Sequence, residues 1–417
     1  MKDERSADYP IKKFRLTSYR SSEDFILTWL DAVIGPHLQE LYLCIGLMRR
    51  IKLPESIFTC SLVLKRYSYV NHYPEFLNVY LPSLKNLELD IISVDPNKFL
   101  SGCTVLENLK LIRLEMTREG SSVYVPTIQM PRTLKTLTFE NYTSLIEQTI
   151  EIYTPFLEYL RVTLAYSVYS ELQKIHFPNM VEAHLDICLE RVEHGAWLPE
   201  LLQALRETKF LALKYETTQC LFSAPAFEFP EFHRLLNLEL HVPCLNRNFL
   251  HNCRVLEGLV ICIWKRAYAH PVKYNGPRPP TMVPNCLTSH LRSFEFRRYQ
   301  DSTDEREFIV CLLQRGLVLK TVIIHLKSDF DLETKYNIVK ELSAIPRGST
   351  ICQLNFIDHN HGAVAVLAIA GGSGTGIVLC VWFSEREANE DGNVAGSLLE
   401  KRGWFRWSMF SEETEDE

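Results

Sequence analysis

Phe99 to Leu111 reads FLSGCTVLENLKL, and the same stretch returns downstream as FLHNCRVLEGLVI, from Phe249 to Ile261. Phe, Leu, Cys, Val, Leu, Glu and Leu stand at matching positions in both. One peptide occurring twice in a chain directs the reading to internal repeats before any other feature. Within the first copy, Leu106, Leu109 and Leu111 make the spacing L-x-x-L-x-L.

That spacing recurs along the chain. Apolar triplets stand at Leu38/Leu41/Leu43, Leu84/Leu87/Leu89, Leu134/Leu137/Phe139, Leu157/Leu160/Val162 and Met180/Ala183/Leu185. They continue at Leu235/Leu238/Leu240, Leu256/Leu259/Ile261, Leu291/Phe294/Phe296 and Leu319/Val322/Ile324. Two degenerate members open on threonine, Thr59/Leu62/Leu64 and Thr208/Leu211/Leu213. Middle residues of neighbouring triplets are roughly 21 to 35 positions apart, mostly within the period of leucine-rich repeats. Pro82, Pro131, Pro155 and Pro178 each shortly precede a triplet.

Side chains alternate along a strand, so both apolar residues of x-L-x-L-x lie on one face. The first leucine sits a turn earlier and packs beneath them. No single unit buries that face alone, so the units must stack. The fold expected is α/β: a leucine-rich-repeat solenoid with a curved parallel sheet over residues 37–327. Its strands should centre on Leu41, Leu62, Leu87, Leu109, Leu137, Leu160, Ala183, Leu211, Leu238, Leu259, Phe294 and Val322.

Composition agrees with a large soluble core. Of 417 residues, 46% are hydrophobic and 23% charged, the balance of a globular chain. The formal net charge of −6, with no basic stripe, argues against a nucleic-acid partner. Twelve cysteines lie in no C-x-x-C pair, which removes zinc ribbons and thioredoxin-type motifs. Cys103 and Cys253 hold one repeat position, where a small buried hydrophobe fits. Reduced thiols and a charged N-terminus without an apolar core point to the cytoplasm or nucleus. In that setting the sequon Asn141-Tyr142-Thr143 carries no consequence.

Taken in order, residues 1–20 form a polar, basic segment in which Phe14-Arg15-Leu16 is a candidate strand. Residues 21–263 carry the repeats. The segment opens on SSEDFILTWLDAVIG, a capped helix with Phe25, Ile26, Trp29, Leu30 and Val33 on one face. Trp197 to Thr208, WLPELLQALRET, reads as an amphipathic helix; several other connections look too short for more than a turn. Residues 264–282 are a proline-rich basic loop. Beyond it the pattern becomes strand, helix, strand, helix, strand: HLRSFEFRRY, STDEREFIVCLLQRG, LKTVIIHLK, DLETKYNIVKELSAI and STICQLNF.

Val283 to Phe356 resembles the FBD domain of plant F-box/leucine-rich-repeat proteins. The residues that carry the resemblance are V-P-N-C-L-x-x-H-L-x-x-F-E-F (Val283 to Phe296), Tyr299, Glu307-Phe308, Leu319-Lys320-Thr321 and Glu341-Leu342. Pro346-Arg347-x-Ser349-x-x-Cys352-Gln353-Leu354-x-Phe356 completes them. LPESIFTC, LPSLKNLEL and FLSGCTVLENLKL are similar to that family's repeats. The resemblance spans about residues 12–356 and implies an FBD module, 283–356, that extends the repeat array. Family members usually open with an F-box, a helical module that docks on the Skp-type adaptor of a cullin ubiquitin ligase. The polar residues before Phe14 do not form one, so direct adaptor binding is not expected here.

Residues 357–417 depart from the family pattern. Ala363 to Phe383, AVAVLAIAGGSGTGIVLCVWF, is long enough to span a bilayer. GGSGTG at its centre suits two apolar strands and a turn better than a helix. The cluster lacks the G-K-[ST] ending of a phosphate loop. The terminal SEETEDE is expected to be disordered.

No G-x-S-x-G, H-E-x-x-H or paired-carboxylate motif occurs. His359-Asn360-His361 and Cys286 with His290 lack further ligands. No catalytic residue, metal or cofactor is therefore expected. What remains is surface: the residues between and after the strand leucines face the open side of the sheet. They are Tyr42, Glu88, Asp90, Lys110, Glu140, Arg161, His184, Asp186, Lys214, Glu239, His241, Glu295 and Arg297. Concave solenoid faces of this kind bind protein partners. The function expected is non-catalytic protein recognition, like that of the substrate-binding part of an F-box receptor. A scaffold or decoy without a ligase link is the alternative.

Overall fold

Each x-L-x-L-x segment becomes a strand, and wherever side-chain burial is described its apolar pair leaves water together. Leu87, Leu89, Leu109, Leu111, Leu137, Leu160 and Leu185 are at most 3% exposed, and full burial of one such side chain is worth about 1.5–3 kcal/mol. In this computed structural model the described residues are 11–18, 23–33, 35, 37–45, 61–65, 82–92, 97, 100–115, 127–141, 148–167, 170–189, 195–224, 227–245, 248–264, 283–358, 363–369 and 379–385. The chain divides into two compact units. Residues 1–234 with 273–276 form the first, and residues 235–272 with 277–417 the second.

The first unit's main strands are β1 (Lys13–Ser18), β2 (Glu40–Ile45), β3 (Ser61–Lys65), β4 (Asn86–Ile92) and β5 (Asn108–Glu115). β7 (Thr136–Asn141), β9 (Tyr159–Ser167), β11 (Glu182–Leu189) and β12 (Phe210–Leu213) continue the sheet. Neighbours pair parallel in that order, as an open sheet rather than a closed barrel. Every strand expected in this unit is present, and its central residue matches that of its neighbour in register.

The register is set before each strand begins. The Lys85 carbonyl accepts the N–H groups of both Glu107 and Asn108; Glu107 O does the same for Lys135 and Thr136. Lys135 O, Glu158 O and Val181 O repeat the pattern at 2.8–3.0 Å. At the first four of these turns the side chains alternate in charge, Lys85, Glu107, Lys135 and Glu158. Glu107 lies 2.9 Å from Lys85 and 2.8 Å from Lys135. Hydrogen bonds from Lys135, then Lys85, hold its carboxyl down to about 2. A polar rung follows: Asn108 Nδ2 donates to Asn86 Oδ1, and the Thr136 hydroxyl to Asn108 Oδ1.

Three features depart from the sequence reading. Connections expected to be turns include a second parallel sheet, β6 (Thr127–Gln129), β8 (Gln148–Tyr153) and β10 (Ser170–His176), ordered β10-β8-β6. Buried Ile128, Ile150, Ile152 and Leu172 carry its inner face. Asn97 closes the β6 edge as a strand would, donating to Thr127 O at 2.7 Å and accepting from Gln129 N at 2.9 Å. Helix α1 (Glu23–Val33) buries Ile26 and Leu30 completely, while Phe25 is 62% and Trp29 40% exposed. The i, i+4 pair takes the core, and Phe25 and Trp29, one position round, lie against each other outside.

The expected second helix is present as α2 (Leu198–Ala204). The unexpected helix is α3 (Tyr215–Ser223), which follows the short β12. Its buried Thr217 hydroxyl accepts from Ile187 N at 2.8 Å and donates to Leu185 O at 3.1 Å. Thr217 thus satisfies backbone groups of β11 that a longer β12 would have paired.

In the second unit β13 (Asn237–Val242), β14 (Gly258–Ile263), β15 (Ser293–Tyr299), β16 (Thr321–Leu326) and β17 (Gln353–Asp358) pair parallel in sequence order. Leu236 O, Glu257 O and Arg292 O repeat the double acceptance. Short α4 (Asn285–Ser289) precedes β15. Helix α5 (Thr303–Arg315) carries a Ser302/Glu305 capping box, and α6 (Leu332–Ser343) is capped by Asp331. Buried Lys335 of α6 meets Asp358 of β17 at 2.9 Å. Asp301 ties Tyr299 to Arg306, and Arg306 reaches Glu341 across to α6. β18 (Ala363–Ile369) and β19 (Leu379–Glu385) then run antiparallel, β18 against β17 and β19 against β18. GGSGTG, His359 to His361, most of the basic loop and both chain ends lie outside the described residues.

The two copies of the opening peptide build the same turn. Cys103 N donates to Leu100 O and Cys253 N to Leu250 O. Neither thiol is in a disulfide, and both are 1% exposed. Burial pushes the Cys103 thiol up to about 12 and that of Cys253 higher still. A thiol reacts as its thiolate. Mass-spectrometric iodoacetamide labelling at pH 8 should therefore leave both unmodified in native protein and modify both in urea; fast native labelling of either would refute the packing.

Gly316 ends α5 at φ −77, outside the left-handed region. Its need for glycine is steric: a Cβ there would stand 2.6 Å from the Leu312 carbonyl oxygen. Gly316→Ala should cost about 1–3 kcal/mol, as overpacking does. Urea unfolding checks this, and an unchanged midpoint would contradict it.

Candidate functional site

The period-two alternation that buries the leucines turns every second side chain to the other side of the sheet. Register then aligns those residues across strands. In the first unit Glu88, Lys110, Thr138, Arg161, His184 and Ala212 make one row. Asp90, Ile112, Glu140, Thr163 and Asp186 make the next. Tyr42 lies in register with Arg15, whose guanidinium stands 4.3 Å above its ring. In the second unit Glu239, Val260, Glu295, Ile323 and Asn355 align. His241, Cys262 and Arg297 align beside them.

The residues singled out in the sequence thus fall into two groups, one on each unit. Most are half-buried. Asp90 is buried at 7% exposure. Lys214 stands apart, because β12 ends at Leu213 and Lys214 is the residue before α3. Within the first unit Lys110 Nζ lies 3.8 Å from Glu140. His184 Nε2 and Glu182 Oε1 are 2.6 Å apart.

The second unit carries a tighter charge network. Glu295 Oε1 accepts from Arg297 Nε at 2.7 Å and lies 2.9 Å from His325 Nε2. Arg297 also stands 3.7 Å from Glu239, which bonds His241 at 2.8 Å. His325, then Arg297, hold the Glu295 carboxyl down to about 2, against the opposing effect of burial. Glu295 in turn raises the Arg297 guanidinium. Beside them Arg298, at φ 61, stacks 4.0 Å from the Trp264 ring centroid.

His325 was missed, although it follows Ile324 as Arg297 follows Phe296; the rule that found the others would have found it. Tyr159, Glu182 and Phe210 were also missed. They sit one alternation earlier, just ahead of the first strand leucine, and extending the period by one step reveals them.

Among the described residues no group of three or more His, Cys, Asp or Glu is placed to hold a metal ion. Also among them, no helix is long and apolar enough to cross a membrane.

Leucine-bearing parallel strands in regular succession, with a polar row on their other side, define a repeat protein of mixed α/β class. The FBD family model matches residues 278–324. Over 350 residues the chain is 28% identical to the Arabidopsis thaliana F-box/FBD/LRR-repeat protein At5g56420, covering 81% of this chain and 78% of that one. It is 29% identical over 368 residues to the putative FBD-associated F-box protein At3g50710 of the same plant, covering 82% and 81%. No solved structure matches the chain. The chain is thus similar, over most of its length, to plant F-box/FBD/LRR-repeat proteins and carries a match to the FBD family model.

A carboxylate whose native pKa lies below its unfolded value stabilises the fold above the unfolded value, and that contribution is lost as pH falls through the native one. For Glu295 the window runs from about 4.5 down to about 2. The melting-temperature gap between wild type and Glu295→Gln should be present at pH 5 and narrow steadily below pH 4.5. A gap unchanged at pH 3 would contradict the ion-pair assignment.

Proposed function

We propose that the strands of each unit stack as a leucine-rich-repeat solenoid whose open face binds a protein partner without catalysis. The residues offered for contact are Tyr42, Glu88, Asp90, Lys110, Glu140, Arg161, His184 and Asp186 in the first unit. Glu239, His241, Glu295 and Arg297 serve in the second, with Lys214 at the margin of the first. The chain then works as the substrate-recognising part of a ubiquitin-ligase receptor, in the cytoplasm or nucleus, with the FBD module at 283–356.

The observation that carries this reading is the register. It lines up charged and aromatic side chains, most of them half-buried, across successive strands of each unit. Charges such as Glu295 and Arg297 are held in one geometry by their neighbours, which lowers the ordering cost of binding. The name of the relative At5g56420 joins F-box, FBD and LRR in one chain, and a receptor needs the same combination of recognition surface and ligase link.

Affinity purification from plant extract tests the reading. Wild type should retain a reproducible protein set that is lost with the double substitution Glu88→Lys/Lys110→Glu and kept with Lys174→Glu, a control on β10. Cullin and Skp-type adaptor in the retained set mark a receptor; their absence beside a retained partner marks a scaffold. Retention indifferent to charge reversals on both units' faces would end the proposal.

A further inference from the structure

Three adjacent strands of the first unit bring rings together on the open side. His184 of β11 lies between Tyr159 of β9, at 5.6 Å between centroids, and Phe210 of β12, at 5.2 Å. Tyr159, Glu182 and Phe210 share one register row, and Arg161 and His184 the next. All three rings are half-buried, so they form a shallow aromatic trough with one side open.

Arg161 stands at the rim. Its Nε–H donates to the Tyr159 hydroxyl at 2.9 Å. That bond spends one of the five guanidinium N–H groups and fixes the long side chain, leaving both terminal amino groups available. Among the described residues Arg161 has no carboxylate partner. The acids closest in the rows are engaged: Glu182 with His184 at 2.6 Å, Glu140 near Lys110 at 3.8 Å, and Asp186 in an interaction of its own.

Resting on the reading of this face as a protein-binding surface, we infer that the trough takes a partner peptide carrying an Asp or Glu beside an aromatic or proline side chain. The carboxylate meets the planar guanidinium edge in a two-pronged pair, the geometry in which arginine surpasses lysine. The neighbouring ring or pyrrolidine covers the trough, where aromatic anchors contribute most to interfaces. A basic peptide would instead bring its cation against Arg161. Tyr159 is a positioning residue: it contributes its ring and holds the guanidinium in place.

A random-peptide display library panned on the full chain, followed by fluorescence polarisation with the enriched peptides, tests the inference. The enriched peptides should pair Asp or Glu with Phe, Tyr, Trp or Pro at adjacent positions. Arg161→Gln and Phe210→Ala should each weaken them roughly tenfold or more, the scale of a lost anchor. Tyr159→Phe keeps the ring and frees the guanidinium, so a loss of about threefold is expected, on the scale of one hydrogen bond. Lys174→Glu, on β10 and outside both open rows, should change nothing. Melting curves confirm that each variant is folded.

Peptides that lose affinity with Glu88→Lys/Lys110→Glu yet ignore Arg161→Gln would overturn this inference and leave the wider face reading standing. Peptides indifferent to every substitution on both faces would overturn both. Enrichment of basic peptides, or of none of the acidic–aromatic class, would also overturn the inference.

Discussion

Ahead of most repeat strands one backbone carbonyl accepts two N–H groups from the next repeat, and much else follows from that contact. Lys85, Glu107, Lys135, Glu158 and Val181 supply it in the first unit, and Leu236, Glu257 and Arg292 in the second. Two donors on one oxygen leave little freedom to slide. A slip of one residue would exchange the core and open faces of a strand. The double acceptance therefore fixes which side chains are buried as firmly as the leucines do. It also stacks the turn residues, so that Lys85, Glu107 and Lys135 fall into an alternating ion-pair column.

The same register explains the electrostatics of the open side. Side chains that are far apart in sequence become neighbours about one strand spacing apart, close enough for direct pairing. Glu239, Glu295, Arg297 and His325 come from β13, β15 and β16 yet form one network. A carboxylate with both a cation and an imidazole against it stays ionised far below its usual range, as Glu295 does. Arg161 differs because its fixed partner is a hydroxyl rather than an acid, so its charge is positioned without being neutralised.

Between the repeat strands the chain solves each connection differently, and local rules lose force there. Thr127–Gln129, Gln148–Tyr153 and Ser170–His176 are short segments whose strand character depends on finding one another across intervening repeats. The alternation in QTIEIY was legible, but a hairpin, an edge or a turn would fit it equally well. Tyr215–Ser223 has two threonines at helix positions where propensity is poor. Their hydroxyls bond backbone groups of β11 and of the helix itself, and that tertiary use outweighs the propensity. Gly258 stands where the first copy of the opening peptide has Asn108, because Asn237 from the preceding strand fills the space a side chain would need.

The sequence by itself determined the repeat, the strand centres, the parallel pairing within each unit and most of the residues on the open rows. These rest on period-two alternation and on a spacing that must stack to bury its leucines, both of which are properties of the chain read in one dimension. The second sheet, the choice of Ile26 and Leu30 over Phe25 and Trp29, the burial of Asp90 and the departure of Lys214 were decided by the tertiary structure. So were the meeting of Tyr159, His184 and Phe210 and the network around Glu295. The physical reason is that each depends on which strand lies beside which and on where a strand stops. A pairwise distance of a few ångströms between residues roughly twenty to sixty positions apart has no local signature, and only the completed register sets it.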